Sequence, residues 1–331
     1  MTYAFLLFIL VFAVALVFEY INGFHDAANA IATVVSTKVL SPRNALILGA
    51  VLNFFGAFFG THVAKTIGDG IVDNTAVSQE VILFALIGAI LWNLLTWFFG
   101  IPSSSSHALI GGLLGAAIAH SGFNVVHGTK LLEKVIFPML ASPLLGFLIG
   151  FSLMLALLWI FAKASPEKIN KKFKKLQLIS AGVMAFSHGS NDAQKTMGII
   201  TLSLITYGAL EHDSFVVPSW VIVVCALTMA LGTLAGGWKI IHTIGSRVIK
   251  LKPIHGFAAE TTAASTILVA SFFGFPVSTT HIISTAIMGV GSTIRLSAVK
   301  WGLVGNIVLA WFLTIPVCAV ISAVLYKLCV W

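Results

Sequence analysis

The sequence predicts an all-α polytopic membrane protein of two inverted-topology repeats, with broken helices, re-entrant hairpins and about 10–12 membrane segments. Three observations support this prediction. Hydrophobic residues make up 58% of the 331-residue chain and charged residues only 9%, against roughly 25% charged residues in soluble domains. Several apolar runs approach the roughly 20 residues that cross a bilayer. Three motifs of the first half also return, in the same order, in the second half.

The apolar runs give the candidate membrane segments in chain order. They lie at residues 4–20, 45–64, 81–99, 144–161, 221–238 and 302–326. Other apolar stretches are shorter or are interrupted by polar residues. Interrupted helices are expected in a protein whose polar site lies inside the membrane.

A basic run divides the chain nearly in half. Residues 163–175, "KASPEKINKKFKK", carry much of the net charge of +8. In a membrane protein, basic loops stay on the cytoplasmic side, so we interpret this run as a cytoplasmic linker and expect no nucleic-acid partner. It separates the first repeat, residues 1–162, from the second, residues 176–331.

The repeat is visible as three pairs of motifs. "NGFHDAANA" at residues 22–30 aligns with "HGSNDAQKT" at 188–196 and places Asp26 on Asp192. "GTHVAKTIG" (60–68) resembles "GWKIIHTIG" (237–245), and "GIPSSSSH" (100–107) matches "GFPVSTTH" (274–281). Each half is therefore expected to form one structural unit.

Loop charges predict that the two units have opposite orientations. The loop at residues 38–43 is basic while its counterpart at 207–217 is acidic; the loop at 68–80 is acidic while its counterpart at 245–255 is basic. Since basic loops stay inside, equivalent loops face opposite sides. Inverted repeats are typical of secondary transporters, whose sites lie near the midplane. The charges compared are Lys38, Arg43, Glu211, Asp213, Asp69, Asp73, Glu80, Arg247, Lys250 and Lys252.

The first pair of motifs carries ionisable residues inside apolar segments. A helix would place Asn22, His25, Asp26 and Asn29 on one stripe, and His188, Asn191, Asp192 and Lys195 repeat the spacing. Such residues are expensive in a membrane and are functional candidates by default. The alternative is a buried structural hydrogen-bond network.

Charge suggests separate roles for these residues. Asp26 and Asp192 can bind a coupling cation, either a proton or a metal ion, and no metal site is certain. His25 titrates near neutral pH and can accept a transported proton. Lys195 either pairs with Asp192 or contacts an anionic substrate. Glu260 is either a cation ligand or a loop residue at the membrane edge.

The hydroxyl-rich motifs predict two helix starts inside the membrane. A proline followed by small hydroxyl residues signals a helix N-terminus, and such a terminus offers free N–H donors and a positive dipole to an anion. The alternative is close helix packing, with the serines bonded to the preceding turn. His107 and His281, which close the two motifs, either cap or orient their hairpins or contact the substrate. The hydroxyl residues are Ser103, Ser104, Ser105, Ser106, Ser278, Thr279 and Thr280.

These motifs together resemble the PiT family of inorganic phosphate transporters. That family has a Gly-Ala-Asn-Asp-Val-Ala-Asn-Ala type motif near the start of each half, which here reads "GFHDAANA" at residues 23–30 and "GSND" at 189–192. The hairpin motifs at 102–107 and 276–281 and the stretch "WNLLTWFFG" at 92–100 also match. The resemblance spans nearly the whole chain.

The resemblance implies a phosphate symporter in which re-entrant hairpins meet the broken first helix of each half. The hairpin hydroxyls would cradle phosphate, with Asn191, Gln194 or Lys195 nearby, and Asp26, Asn29 and Asp192 would lie near the cation sites. The Phe24-His25 form resembles a bacterial low-affinity subgroup that is similar to proton symporters of metal–phosphate complexes. Asn191 instead matches the Asn found in this motif in sodium-coupled members, so the coupling cation can be either a proton or a sodium ion.

The sequence thus predicts import of inorganic phosphate, free or with a divalent metal, by symport with H⁺ or Na⁺ and alternating access. No cofactor is expected. The expected partners are phosphate, a coupling cation, membrane lipid and a second copy in a homodimer, in the plasma (inner) membrane.

Sulfate is an alternative substrate, although it cannot donate a proton to a carboxylate at neutral pH. A hydrolase using His25 and Asp26 lacks a metal triad or an activated nucleophile, so no enzyme is expected, and without a Gly-x-x-x-x-Gly-Lys-Ser/Thr loop neither is an ATP-driven pump.

Overall fold

Helices make up almost all of the computed structural model, which describes residues 2–73, 76–211 and 215–330. Within these ranges the only extended pairing is a single bridge between Val72 and Val126. Asp213 and the side chain of Arg247, both used in the charge comparison, lie outside the described residues. The prediction of an all-α protein is confirmed for the described part of the chain.

The described residues form fourteen α-helices in chain order. Those before the basic run are α1 (Tyr3–His25), α2 (Ala27–Ser36), α3 (Pro42–Gly56), α4 (His62–Asp69), α5 (Gln79–Phe99), α6 (Ser105–Ser121), α7 (Gly128–Leu131) and α8 (Phe137–Ile160). The others are α9 (Pro166–Tyr207), α10 (Ser219–Ala235), α11 (Trp238–His242), α12 (Pro253–Phe272), α13 (Thr279–Ser292) and α14 (Trp301–Cys329).

Four helical stretches of the described chain are long and apolar enough to cross a membrane. They are Tyr3–Ser36, Gln79–Phe99, Gly128–Ile160 and Trp301–Cys329, and a bent pair, Ser219–Ala235 with Trp238–Gly245, makes a fifth. This is fewer than the predicted number because several helices are short. At 1.5 Å per residue, α6 and α13 are only about 21–26 Å long, less than the roughly 30 Å of a hydrocarbon core.

The helix of the first motif is broken and that of the second is not. The α1 helix ends at His25, and Asp26 (φ −95°, ψ 2°) separates it from α2. The α9 helix instead runs through the second motif for 42 residues, so the broken helix expected in the second half is wrong. The difference follows from side-chain pairing. Asp26 bonds to its immediate neighbour His25, whereas Asp192 pairs at positions i−4 and i+3, which face each other on a regular helix.

Two hairpins place their polar tips among the other helices. The α5 helix ends at Gly100 (φ 67°), and Gly274 (φ 72°) lies between α12 and α13. Only glycine adopts such positive φ angles readily. The side chain of Ser104 accepts the His107 N–H at 3.2 Å, and Ser278 accepts the His281 N–H at 3.2 Å. The predicted helix starts at the hydroxyl residues are confirmed.

Helices of the two halves pack against each other in matching pairs. The α3 helix packs on α9 and α10 packs on α1, while α6 packs on α14 and α13 on α8. Glycine permits the closest approaches: a Cβ atom on Gly189 would lie 2.7 Å from Asn53 Cα, and one on Gly23 would lie 2.5 Å from the Met229 carbonyl oxygen. The polar tips of both hairpins are thereby enclosed by elements of both halves.

Candidate functional site

The predicted site residues are buried without exception. Every one of them lies below a tenth of its full exposure, even Lys195 at 1% and Asp192 at 0%. The α1–α2 break, the middle of α9 and the starts of α6 and α13 contribute most of these side chains. Burial of this many polar groups requires partners for them, and their partners define the site.

Asp192 is the centre of the second motif. Its Oδ1 atom lies 2.5 Å from Lys195 Nζ, and its Oδ2 atom lies 3.2 Å from His188 Nε2. The Thr279 hydroxyl, from the start of α13, donates to Oδ2 at 3.2 Å. Of the two roles left open for Lys195, pairing with Asp192 is the one present in this conformation.

Asp26 is held by an imidazole that also touches the first hairpin. His25 Nδ1 lies 2.6 Å from Asp26 Oδ1, and His25 Nε2 lies 3.0 Å from the Thr96 hydroxyl oxygen. The Ser103 hydroxyl donates to that same Thr96 oxygen at 2.8 Å. The His25–Asp26 pair is therefore connected to the tip of this hairpin through the Thr96 hydroxyl.

The two motif aspartates meet although they come from opposite halves of the chain. One ligand atom each from Asp26, His188 and Asp192 lie within 4.8 Å of one another. Two carboxylates this close repel each other unless positive charge or a proton lies beside them, and Lys195 supplies one such charge at Asp192. Two carboxylate oxygens and an imidazole nitrogen form a donor set that fits a cation.

Asn29 connects the first motif with the second hairpin. Its amide nitrogen donates to the Thr280 hydroxyl at 2.8 Å and to the Thr279 hydroxyl at 3.1 Å. Since Thr279 also reaches Asp192, the start of α13 is attached to both aspartate motifs.

The starts of α6 and α13 meet at this point. The Ser106 hydroxyl donates to the Val277 carbonyl at 3.3 Å. The rings of His107 and His281 are 4.9 Å apart, and His281 stacks on Trp311 at 3.9 Å. Two helix N-termini therefore present their positive dipole ends to one buried region, an arrangement that favours an anion.

Among the hydroxyls of the first hairpin, Ser105 differs from its neighbours. Ser103 bonds to Thr96, Ser104 caps its helix, and Ser106 bonds to Val277. The buried Ser105 Oγ atom has no hydrogen-bond partner within the described part of the chain.

Two predicted anion ligands have other partners in this conformation. The Asn191 amide donates to Ser271 Oγ at 2.9 Å and to the Phe275 carbonyl at 3.2 Å, which holds the second hairpin. Gln194 Oε1 accepts the Val63 N–H at 2.9 Å, in the first turn of α4, and its amide donates to the Ser190 carbonyl at 2.5 Å.

Glu260 lies inside the protein, so its interpretation as a loop residue at the membrane edge is wrong. It is 0% exposed on α12 and joins three helices. Its carboxylate accepts hydrogen bonds from Thr33 at 2.5 Å, from Gln177 at 3.0 Å and from Ser180. A role as a cation ligand stays a prediction.

Sequence reasoning missed Glu19 and did not count His188 among the site residues. Glu19 is fully buried on α1 and accepts a hydrogen bond from Thr196 of α9. The signal was available, because Glu19 is the one charged residue in the apolar run at residues 4–20, and an acid in such a run is a functional candidate. His188 lies on the same stripe as Asp192.

Comparison with known proteins identifies the family of this chain. A model of the phosphate transporter family matches residues 22–322. A probable low-affinity inorganic phosphate transporter of Rhizobium meliloti (strain 1021) is 51% identical over 98% of this chain and 97% of its own. One of Bacillus subtilis (strain 168) is 48% identical over 97% and 96%. A solved structure, the sodium-dependent phosphate transporter, is 26% identical with a TM-score of 0.90, over 97% of this chain and 98% of its own.

The relatives confirm the expectation that the chain is a transporter and not an enzyme. The resemblance seen in the sequence motifs is also confirmed, over the full length of the chain. The protein belongs to the phosphate transporter family.

Proposed function

We propose that the protein imports inorganic phosphate by symport with a cation. The observation that supports this most directly is the meeting of two capped helix starts beside a pair of aspartates drawn from opposite halves. Helix N-termini suit an oxyanion, and facing carboxylates suit a cation. One buried region thus offers complementary places to a cation and to an anion.

The anion place uses dipoles rather than free positive charge. Lys195 is neutralised by Asp192, so the phosphate charge is met by the N–H groups of α6 and α13 and by the Ser105 hydroxyl. The predicted phosphate ligands Ser103, Ser104, Ser106, Ser278, Thr279 and Thr280 surround this point, and their direct contact with phosphate stays a prediction. Asn191 becomes a ligand only if its amide leaves Ser271 or Phe275, whereas the Gln194 amide donates one hydrogen to Ser190 and has a second one for a ligand.

The cation place is the group formed by Asp26, His188 and Asp192. A bound cation lowers the repulsion between the carboxylates and attracts phosphate, so each ligand raises the affinity for the other. The solved neighbour is named as sodium-dependent, while His25 beside Asp26 suits a proton. The same donor set fits a divalent metal entering with phosphate.

Transport by this site requires it to open to each side in turn. We propose two inverted repeats, residues 1–162 and 176–331, that rock about the site with residues 163–175 on the cytoplasmic side of the plasma (inner) membrane. The matching pairs of packed helices support a two-fold relation between the halves. The exposed apolar side chains of α5 and α8, among them Phe98, Phe99 and Trp159, suit contact with lipid. The homodimer stays a prediction.

The test is uptake of labelled phosphate into proteoliposomes under a pH gradient and, separately, under a sodium gradient. We expect accumulation under at least one gradient, and excess unlabelled sulfate should compete poorly. If neither gradient drives accumulation in a correctly folded preparation, the symport proposal fails. Competition by sulfate equal to that by phosphate would instead favour a general oxyanion permease of the same fold.

A further inference from the structure

A third buried carboxylate lies beside the site and has no role in the mechanism above. Glu19 is 0% exposed on α1, about two turns before the break at Asp26. Its Oε2 atom accepts a hydrogen bond from the Thr196 hydroxyl and lies 3.5 Å from Asn22 Nδ2. Its Oε1 atom has no hydrogen-bond partner among the described residues.

Other polar atoms without partners lie at the same level of the helices. Within the described ranges, Asn22 Oδ1 is buried without a hydrogen-bond partner, and so are both side-chain polar atoms of Asn93 on α5. His25 on α1 bonds to Thr96 on α5. Asn22 precedes His25 by three positions, and Asn93 precedes Thr96 by three positions. If α1 and α5 run in parallel, the two asparagines therefore lie side by side.

The direction of the two helices supports this placement. The α1 helix starts near the end of α9, where Phe8 stacks on Tyr207 at 4.7 Å. The α5 helix also starts there, where the Gln79 amide donates to the Ser203 carbonyl at 2.7 Å. Both helices then run toward the His25–Thr96 contact, so they are parallel and place Asn22 and Asn93 at the same level.

Glu19 lacks a fixed counter-charge. It takes part in no ion pair within the described ranges, and the nearest cation, Lys195, is bound to Asp192. The titratable groups of other helices that act on Glu19 electrostatically are Asp192 and Lys195 of α9 and Cys225 of α10. The ionisable residue of α5, Glu80, is in the first turn of that helix, away from Asn93. A buried carboxylate in such surroundings must be neutralised.

We propose that Glu19 is a proton-carrying site of the transport cycle, separate from the Asp26–Asp192 cation place. The carboxylate takes one proton on Oε1 in the conformation described and returns it to solution when the helices reopen on the other side. A proton needs only one oxygen and a nearby acceptor such as Asn22 Oδ1, whereas metal cations bound by oxygens take about six ligands. This inference rests on the proposed symport function.

The test compares wild type, Glu19→Gln and the matched control Glu167→Gln in proteoliposomes. Gln keeps the shape of the protonated acid, so we expect Glu19→Gln to retain phosphate–phosphate exchange at equal pH while losing accumulation driven by a pH gradient. A pH-sensitive dye should also report one proton fewer per phosphate. Glu167 is exposed in the first turn of α9, and its variant should behave as wild type in all three assays.

Several results would overturn the inference. They are wild-type accumulation with a wild-type proton ratio in Glu19→Gln, loss of exchange together with accumulation in a folded variant, and sodium as the sole driving cation. If the wild type itself transports no phosphate, the proposed function fails instead, so the two failures are distinguishable.

A second variant covers the case in which Glu19→Gln does not fold. Thr196→Val keeps Glu19 but removes the hydroxyl that donates to its carboxylate, a bond that favours the charged form. The pH at which net uptake is half-maximal should therefore move upward, with exchange retained. An unchanged pH profile in this variant contradicts a proton on Glu19.

Discussion

Ser104 and Ser105 are neighbours with different tasks at the start of α6. The Ser104 hydroxyl accepts the His107 N–H, whereas the Ser105 hydroxyl makes no hydrogen bond to any residue that the structure describes. We expect Ser105→Ala to weaken phosphate binding about tenfold, since a hydrogen bond to a charged group is worth about 1.5 kcal/mol or more. The KM for phosphate uptake measures this effect, and the melting temperature should hardly change.

Ser104→Ala is the matched control for that prediction. Loss of an N-cap costs about 1 kcal/mol of stability, so this variant should melt at a lower temperature. If Ser104→Ala raises the KM as much as Ser105→Ala does, the distinction between a capping and a ligand-facing hydroxyl is wrong. Sequence could predict a helix start among the serines but not this distinction, because it depends on which serine is the N-cap, and the structure assigns that position to Ser104.

The Asp192–Lys195 pair is buried, so removal of one partner leaves the other as a buried charge without compensation. Asp192→Asn should abolish uptake and destabilise the protein by about 3–5 kcal/mol, the usual cost of breaking a buried ion pair. The double variant Asp192→Asn with Lys195→Met should recover much of the melting temperature without recovering uptake. Thermal unfolding in detergent and phosphate uptake test the two statements separately, and wild-type uptake in the double variant would make the pair purely structural.

At the scale of the elements, each hairpin is held by a threonine of the opposite half. The Thr66 hydroxyl donates to the Gly274 carbonyl at 2.7 Å, and the Thr243 hydroxyl donates to the Gly100 carbonyl at 2.9 Å. Both threonines occupy the same place in the repeated Thr-Ile-Gly motif. Sequence comparison detected this motif as a repeat but predicted no contact for it. Each threonine binds a hairpin glycine about 140–210 residues away in the chain, and such long-range contacts are not visible in the sequence.

These contacts predict which hairpin each threonine stabilises. Thr66→Val should accelerate amide hydrogen exchange at residues 274–278, and Thr243→Val should do so at residues 100–104, each by about 0.5–1.5 kcal/mol of local opening free energy. The control is Thr228→Val, whose hydroxyl bonds within its own helix to Val224 at 2.8 Å. Faster exchange of the same hairpin in both variants would contradict the assignment.

The break in the first helix and its absence in α9 illustrate the limit of repeat reasoning. The two motifs align residue by residue, yet Asp26 has His25 before it whereas Asp192 has Asn191. The pairing available to each aspartate then differs: a neighbour for Asp26, and partners one turn away for Asp192. Alignment predicts the shared position of a functional residue, while the local hydrogen bonds decide the backbone around it.

At the scale of the whole molecule, composition and apolar runs were sufficient for the helical membrane class but not for its segment count. Residues 45–64 appeared as one apolar run, but the structure divides them between α3 and α4. The opposite occurs in α9, where a lysine-rich segment and an apolar segment form one continuous helix. Hydropathy reports the burial of side chains, whereas the ends of helices depend on capping and glycine conformations.

The proposed inverted arrangement makes a prediction about sidedness. Arg43 at the start of α3 and Glu211 after α9 lie in loops that correspond in the two halves, and both are exposed. In a background of Cys329→Ser, which removes the exposed cysteine, Arg43→Cys should react with a membrane-impermeant maleimide only from the cytoplasmic side. Glu211→Cys should react only from the opposite side, because equivalent loops of inverted repeats face opposite solutions. Lys168→Cys, in the basic run that we propose to be cytoplasmic, should react from the same side as Arg43→Cys. Labelling of Arg43→Cys and Glu211→Cys from one and the same side would rule out the inversion, and with it the proposed rocking of one half against the other.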